Sequence, residues 1–226
     1  MRIKIPELAF SSKLIRCETD TFSFDCDDCE TTLAEFKQIC GGAPMYTDKN
    51  FFAASQNQPV TFVTFNQAIF FAEQVGKRLI EEHEFAALAQ FNGAKYPWGN
   101  DWPENATDWI IEPVKSHQWD RVSIGPSTIF GLYSNAAEWT MGWGVEEDPR
   151  PTSGLPNRIV RGASWTVLEG GSAFAQDYQR DADSRFVQNE FDYNSKTLGF
   201  RCAKSAKPRI SAADFENVRQ FKPERD

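Results

Sequence analysis

Positive charge in clusters is the first thing this sequence lacks. Its 24 Lys and Arg stand against 32 Asp and Glu, for a formal net charge of −8. A nucleic-acid surface needs a basic face, so the balance argues against such a partner. No apolar run approaches the roughly 18–20 residues that a membrane-spanning helix requires, and no membrane partner is expected. The first residues, Met1 to Glu7, lack the apolar stretch of a secretory leader, so the chain is expected to be cytoplasmic. Histidine is nearly missing: there are two, His83 and His117. No glycine-rich phosphate loop, Ser-His-Asp order or nucleophile elbow occurs. Repeats, low-complexity tracts and a domain linker are absent as well.

Cysteine is sparse and uneven. Of five, four fall in the first 40 residues (Cys17, Cys26, Cys29 and Cys40), and after them comes only Cys202. Four thiolates complete a tetrahedron, so Cys17, Cys26, Cys29 and Cys40 are a candidate zinc or redox element. Against that, Cys40 falls on an apparent helix and no second Cys-x2-Cys follows Cys26–Cys29, which leaves free thiols or one disulfide as alternatives.

What is present is aromatic. Phe, Trp and Tyr make up 14% of 226 residues, with 14 Gly and 12 Pro, which favours a loop-rich α+β core over a helical bundle. Leu33, Phe36 and Cys40 share one face of a helix starting at Thr31 or Thr32 and ended by Gly41-Gly42. Ala68, Phe71, Ala72 and Val75 repeat at helical spacing before Gly76, and a further helix is expected from about Glu81 to Gln90. Residues 1–30 read as strand with a turn at Asp25–Asp28, and Pro59–Val63 as a short extended run. All seven Trp lie in 95–165, a stretch with few legible elements. Arg158–Arg161 reads as a strand entering a glycine turn, Gly199–Ala203 as a final core strand, and 166–198 as surface loop. The expected organisation is one domain over 1–203 and a charged extension over 204–226.

The most concentrated stretch is Gly131-Leu132-Tyr133-Ser134-Asn135-Ala136-Ala137-Glu138-Trp139-Thr140. It sets a carboxylate among large rings, where a buried charge needs a cation, backbone N–H groups or a metal.

Five blocks then occur in a familiar order: Pro59-Val60 through Gly76-Lys77-Arg78-Leu79 to Ala87, Tyr96-Pro97-Trp98-Gly99, Gly131 to Thr140, Arg161-Gly162-Ala163-Ser164-Trp165, and Gly199-Phe200-Arg201-Cys202-Ala203. Together they resemble the formylglycine-generating enzyme (sulfatase-modifying factor) family over about residues 20–203. The resemblance implies that family's variant of the C-type lectin fold, with two or three helices and short antiparallel strands.

The same resemblance speaks to activity. Those enzymes oxidise a substrate cysteine with copper held by two cysteines shortly after the Arg-Gly-Gly-Ser turn, and thiolates suit Cu(I). The corresponding positions here fall at about Val167 and Ser172, and no Cys occurs from 41 to 201. A related branch binds non-haem iron through three histidines. With His83 and His117 alone, both expected at the surface, that set is incomplete. Structural calcium is the cofactor that the resemblance retains. Asn135 and Glu138 match one calcium position, in a segment about three residues shorter than the family's, and Asn105, with Asp108 or Asp120, is the candidate for a second. The alternative is that Asn135 caps the turn and Glu138 pairs with Arg161 or Arg201.

Three functional readings follow. The first is a non-catalytic peptide- or protein-binding or accessory module, its groove formed by Ser164, Trp165, Ser172, Tyr178 and Arg180, where aromatics interleave with charge. The second is a divergent metal-dependent oxidoreductase or peptide- or thiol-modifying enzyme using the same groove. The third treats the amino-terminal cysteines as a regulatory redox or zinc element.

Overall fold

The structure, a computed structural model, describes residues 11–18, 23–42, 55–101, 111–144, 157–162, 185–189 and 197–205. It is a loop-rich α+β fold with three short helices and ten strands in three sheets among the described residues.

The helices form where local signals agree. Helix α1 (Leu33–Cys40) is capped by Thr32, whose hydroxyl accepts from the Glu35 N–H while the Glu35 carboxylate accepts from the Thr32 N–H. It ends at Gly41, in the left-handed region at φ +75°. Helix α2 (Phe65–Gln74) repeats the reciprocal cap with Thr64 and Gln67, and α3 (Glu82–Ala89) does so with Glu81 and Glu84. Phe36 of α1 stacks on Phe71 of α2 at 5.9 Å between centroids, and Phe200 meets both rings edge-on.

One sheet runs in the order β1 (Leu14–Glu18), β2 (Ser23–Asp27), β10 (Cys202–Ser205), β3 (Arg78–Leu79), with its neighbours antiparallel. The turn expected at Asp25–Asp28 is instead largely the end of β2. Its acids are tolerated there because cations from elsewhere meet them: Arg16 on Asp25 at 3.0 Å, Lys77 on Asp27 at 2.5 Å and Lys115 on Asp28 at 2.9 Å. Lys77 and Lys115 are distant in sequence, so the acidic run alone misleads.

β4 (Arg121–Ile124) and β5 (Ser127–Phe130) form a hairpin the sequence did not betray. The third sheet runs β8 (Arg185–Asn189), β7 (Asn157–Arg161), β6 (Ala137–Gly144), β9 (Leu198–Gly199), so the stretch 166–198, expected as surface loop, includes a strand at Arg185–Asn189. Pro59–Val63 forms no strand: Pro59 bridges Thr32, and Phe62 has a positive φ of 59°.

The expected strand over Gly199–Ala203 is two strands in different sheets. β9 pairs parallel with β6 and β10 pairs with β2 and β3, while Phe200 and Arg201 cross between them. Gly199 is required at this crossing, because a Cβ there would lie 2.5 Å from the Val60 carbonyl oxygen. Alternation along β10 then supplies two cores. Cys202 packs with Leu33, Phe36 and Trp139, and Ala203 with Phe24, Phe85 and Tyr133.

Candidate functional site: the buried ionic cluster

Around the Gly131–Thr140 segment lie three fully buried carboxylates, Glu30, Asp120 and Glu138, and one fully buried guanidinium, Arg201. Strand β6 delivers Glu138, whose backbone faces Gly199 of β9 and Arg161 of β7. The crossing after β9 delivers Arg201. Arg201 Nε donates to Glu138 Oε1 at 3.0 Å and Oε2 at 2.8 Å, and Nη2 donates to Oε1 at 2.6 Å. Nη2 also serves the carbonyls of Phe130 (3.0 Å) and Gly131 (2.8 Å). The pairing expected of Glu138 with an arginine is therefore with Arg201. Arg161, its neighbour across the ladder, reaches Glu82 at 3.3 Å.

Asn135 holds the turn in a left-handed conformation, φ +72°, which Asn tolerates better than most residues. Its Oδ1 accepts the Glu112 N–H at 2.9 Å, and its Nδ2 donates to Glu30 Oε1 at 3.0 Å and to the Glu112 carbonyl at 3.3 Å. Glu30 Oε2 has no protein partner. Burial pushes the Glu30 carboxyl up to about 8, with Arg201 opposing and Glu138 adding to the rise.

Asp120 Oδ2 accepts three bonds: from the N–H of Tyr133 (3.0 Å), the N–H of Ser134 (2.5 Å) and the Ser134 hydroxyl (2.8 Å). His117 Nδ1 lies 2.8 Å from the same hydroxyl oxygen. With the hydroxyl hydrogen given to Asp120, the imidazole must donate from Nδ1, and its base lone pair does not face Ser134. Ser134 is fully buried besides, so Ser134, His117 and Asp120 form a structural relay and not a nucleophile. His117, expected at the surface, is buried and stacked on Trp119 at 5.5 Å; its Nε2 lies 3.6 Å from Glu112 Oε2. His83 is exposed on α3, as expected.

The four amino-terminal cysteines are spread over β1 (Cys17), β2 (Cys26), the turn after it (Cys29) and the end of α1 (Cys40). All five thiols of the chain are free. Among the described residues no group of three or more His, Cys, Asp or Glu converges to hold a metal. The groove residues Ser164, Trp165, Ser172, Tyr178 and Arg180, and the calcium candidates Asn105 and Asp108, lie outside the described residues.

Sequence reasoning missed Glu30 as a site residue, placed His117 at the surface, and weighed Asp120 only as a metal ligand. The available signal was the acidic run ending in Glu30, which has too few local cations to neutralise it.

Fold and cluster define a loop-rich α+β domain pinned by an internal ion pair. Residues 22–206 match the family described as the sulfatase-modifying factor enzyme 1-like domain, and the chain belongs to that family. It is similar to mouse (Mus musculus) inactive C-alpha-formylglycine-generating enzyme 2, at 34% identity over 164 residues, 66% of this chain and 49% of that protein. With the mouse formylglycine-generating enzyme it shares 32% over 171 residues, 65% of this chain and 44% of the relative. The chain thus spans about half the length of the curated relatives it matches. Among solved structures, Treponema denticola variable protein 1 superposes with TM-score 0.59 at 16% identity, over 90% of this chain and 98% of that one. At that identity the likeness is one of fold.

Proposed function

We propose that this chain is a non-catalytic formylglycine-generating-enzyme-like domain that acts as a peptide- or protein-binding or accessory module. The observation that carries this reading is where its thiols are. The family's oxidation needs two thiolates to hold copper, and no Cys occurs between residues 41 and 201. Cys17, Cys26, Cys29 and Cys202 are fully buried, and burial raises each thiol well above its usual range. Cys40, half-buried at the end of α1, is pushed up to about 11. The relative named as inactive agrees with this reading. Five free thiols fit a reducing compartment such as the cytoplasm.

The binding face rests on the sequence: Ser164, Trp165, Ser172, Tyr178 and Arg180 supply aromatic and cationic anchors of the kind that dominate interfaces. The catalytic half is tested by offering Cu(I) or Fe(II) to the purified protein and following oxygen uptake with a cysteine peptide. Neither stoichiometric metal nor thiol-dependent uptake is expected; both together would establish a divergent oxidoreductase instead. The binding half is tested with a peptide selected from a display library. Trp165→Ala, Tyr178→Ala and Arg180→Ala should each weaken it about tenfold or more, and unchanged affinity in all three would remove the groove assignment.

A further inference from the structure

We propose that the position which the resemblance assigns to structural calcium, Asn135 with Glu138, binds no metal in this protein, because protein donors already engage the oxygens of both side chains. Two residues here match that metal position, Asn135 and Glu138, and both have their oxygens committed. Arg201 covers both carboxylate oxygens of Glu138 with three contacts of 2.6 to 3.0 Å, and both residues are fully buried. A divalent ion on that carboxylate would have to share it with a guanidinium or expel it. Arg201 has nowhere to go, because its Nη2 also satisfies the Phe130 and Gly131 carbonyls inside the protein.

Asn135 is oriented by a group that can only donate. Its Oδ1 faces the Glu112 backbone N–H at 2.9 Å, which fixes the amide with Nδ2 toward Glu30 and takes its ligand oxygen out of use. Calcium requires about six to eight oxygens, and the three side-chain oxygens of these matched residues are engaged.

The remaining unpartnered atoms ask for water and not for an ion. Glu30 Oε2 and Asp120 Oδ1 are buried acceptors without protein partners, and Arg201 Nη1 is a buried donor without one. The Arg201 charge acts on both carboxyls. Water can both donate and accept and so suits such atoms, whereas a second cation would be set against Arg201.

The test is thermal unfolding of the full chain in EGTA and in millimolar CaCl2, with equilibrium dialysis of radioactive calcium alongside. A site held far above its dissociation constant would raise Tm by several degrees. The expected result is the same Tm in both buffers. A calcium-dependent rise that Glu138→Gln abolishes would overturn the proposal. A rise that survives Glu138→Gln places calcium away from Glu138 and leaves the proposal standing. Should Glu138→Gln fail to fold, Asn135→Ala serves as the variant, with the same two outcomes read the same way.

Discussion

Arg201 and Glu138 form a fully buried ion pair in which the arginine covers both oxygens of the carboxylate, at 2.6 to 3.0 Å. The pair joins the crossing between two sheets to the central strand of one of them, and ties in the loop at Phe130–Gly131 through two carbonyls. A buried pair of this kind adds little net stability over an apolar substitute, yet breaking it strands a charge.

Arg201→Met should therefore destabilise the domain by about 3–5 kcal/mol, measured by urea unfolding. Arg201→Lys keeps the charge but loses the planar fork, and should still be destabilising. Combining Arg201→Met with Glu138→Gln should recover part of the loss, because no lone charge is then buried. Strictly additive costs would show that the two do not act as a unit.

Gly131 has φ +66°, and a Cβ there would lie 2.5 Å from Glu30 Oε1 and 2.7 Å from its carboxyl carbon. Gly131→Ala combines a left-handed alanine with displacement of a buried carboxyl, and should cost about 2 kcal/mol or more. The same substitution in a Glu30→Ala background should cost measurably less, since only the backbone strain remains.

Glu30 makes stability depend on pH. Its folded value of about 8 lies above the roughly 4.3 of an unfolded Glu, so the native state holds the extra proton between the two. Stability from this group is fully present below the unfolded value and is lost as pH rises to about 8, by at most about 1.4 kcal/mol per pH unit. The groups acting on it are the Asn135 amide, Arg201, Glu138 and Asp120. Chemical unfolding between pH 5 and 8 should show this decline, and Glu30→Gln, a neutral near-isostere, should flatten it. An identical slope in both proteins would mean that Glu30 is ionised throughout.

The thiols should divide one against four. In the native protein a colourimetric thiol reagent should modify Cys40 alone, slowly at neutral pH and faster as pH rises, because that thiol is pushed up to about 11. Cys17, Cys26, Cys29 and Cys202 are fully buried and should react only on unfolding. Cys40→Ser should remove the native reaction. Rapid modification of two or more thiols in the folded state would contradict this burial.

Much of the helical part of the fold was legible because its signals are local. Leu33, Phe36 and Cys40, or Ala68, Phe71 and Ala72, lie on one face within a few residues, and Gly41 marks an end that only a left-handed residue makes well. Strands of two residues, such as Arg78–Leu79 and Leu198–Gly199, carry no period to read. The Asp25–Asp28 run was misjudged for the same reason: Lys77 and Lys115 lie far along the chain.

The sequence by itself determined the family, through short blocks held in order, and the absence of the paired thiols that its copper chemistry requires. It also marked Glu138 as a carboxylate in need of a counter-charge. Only the tertiary structure chose Arg201 over Arg161 and set the side-chain oxygens of Asn135 and Glu138 on protein donors. That choice depends on a parallel contact between β6 and β9 and on the chain crossing at Phe200–Arg201. Composition is written along the chain, but which charge meets which, more than 60 residues apart, is decided by packing.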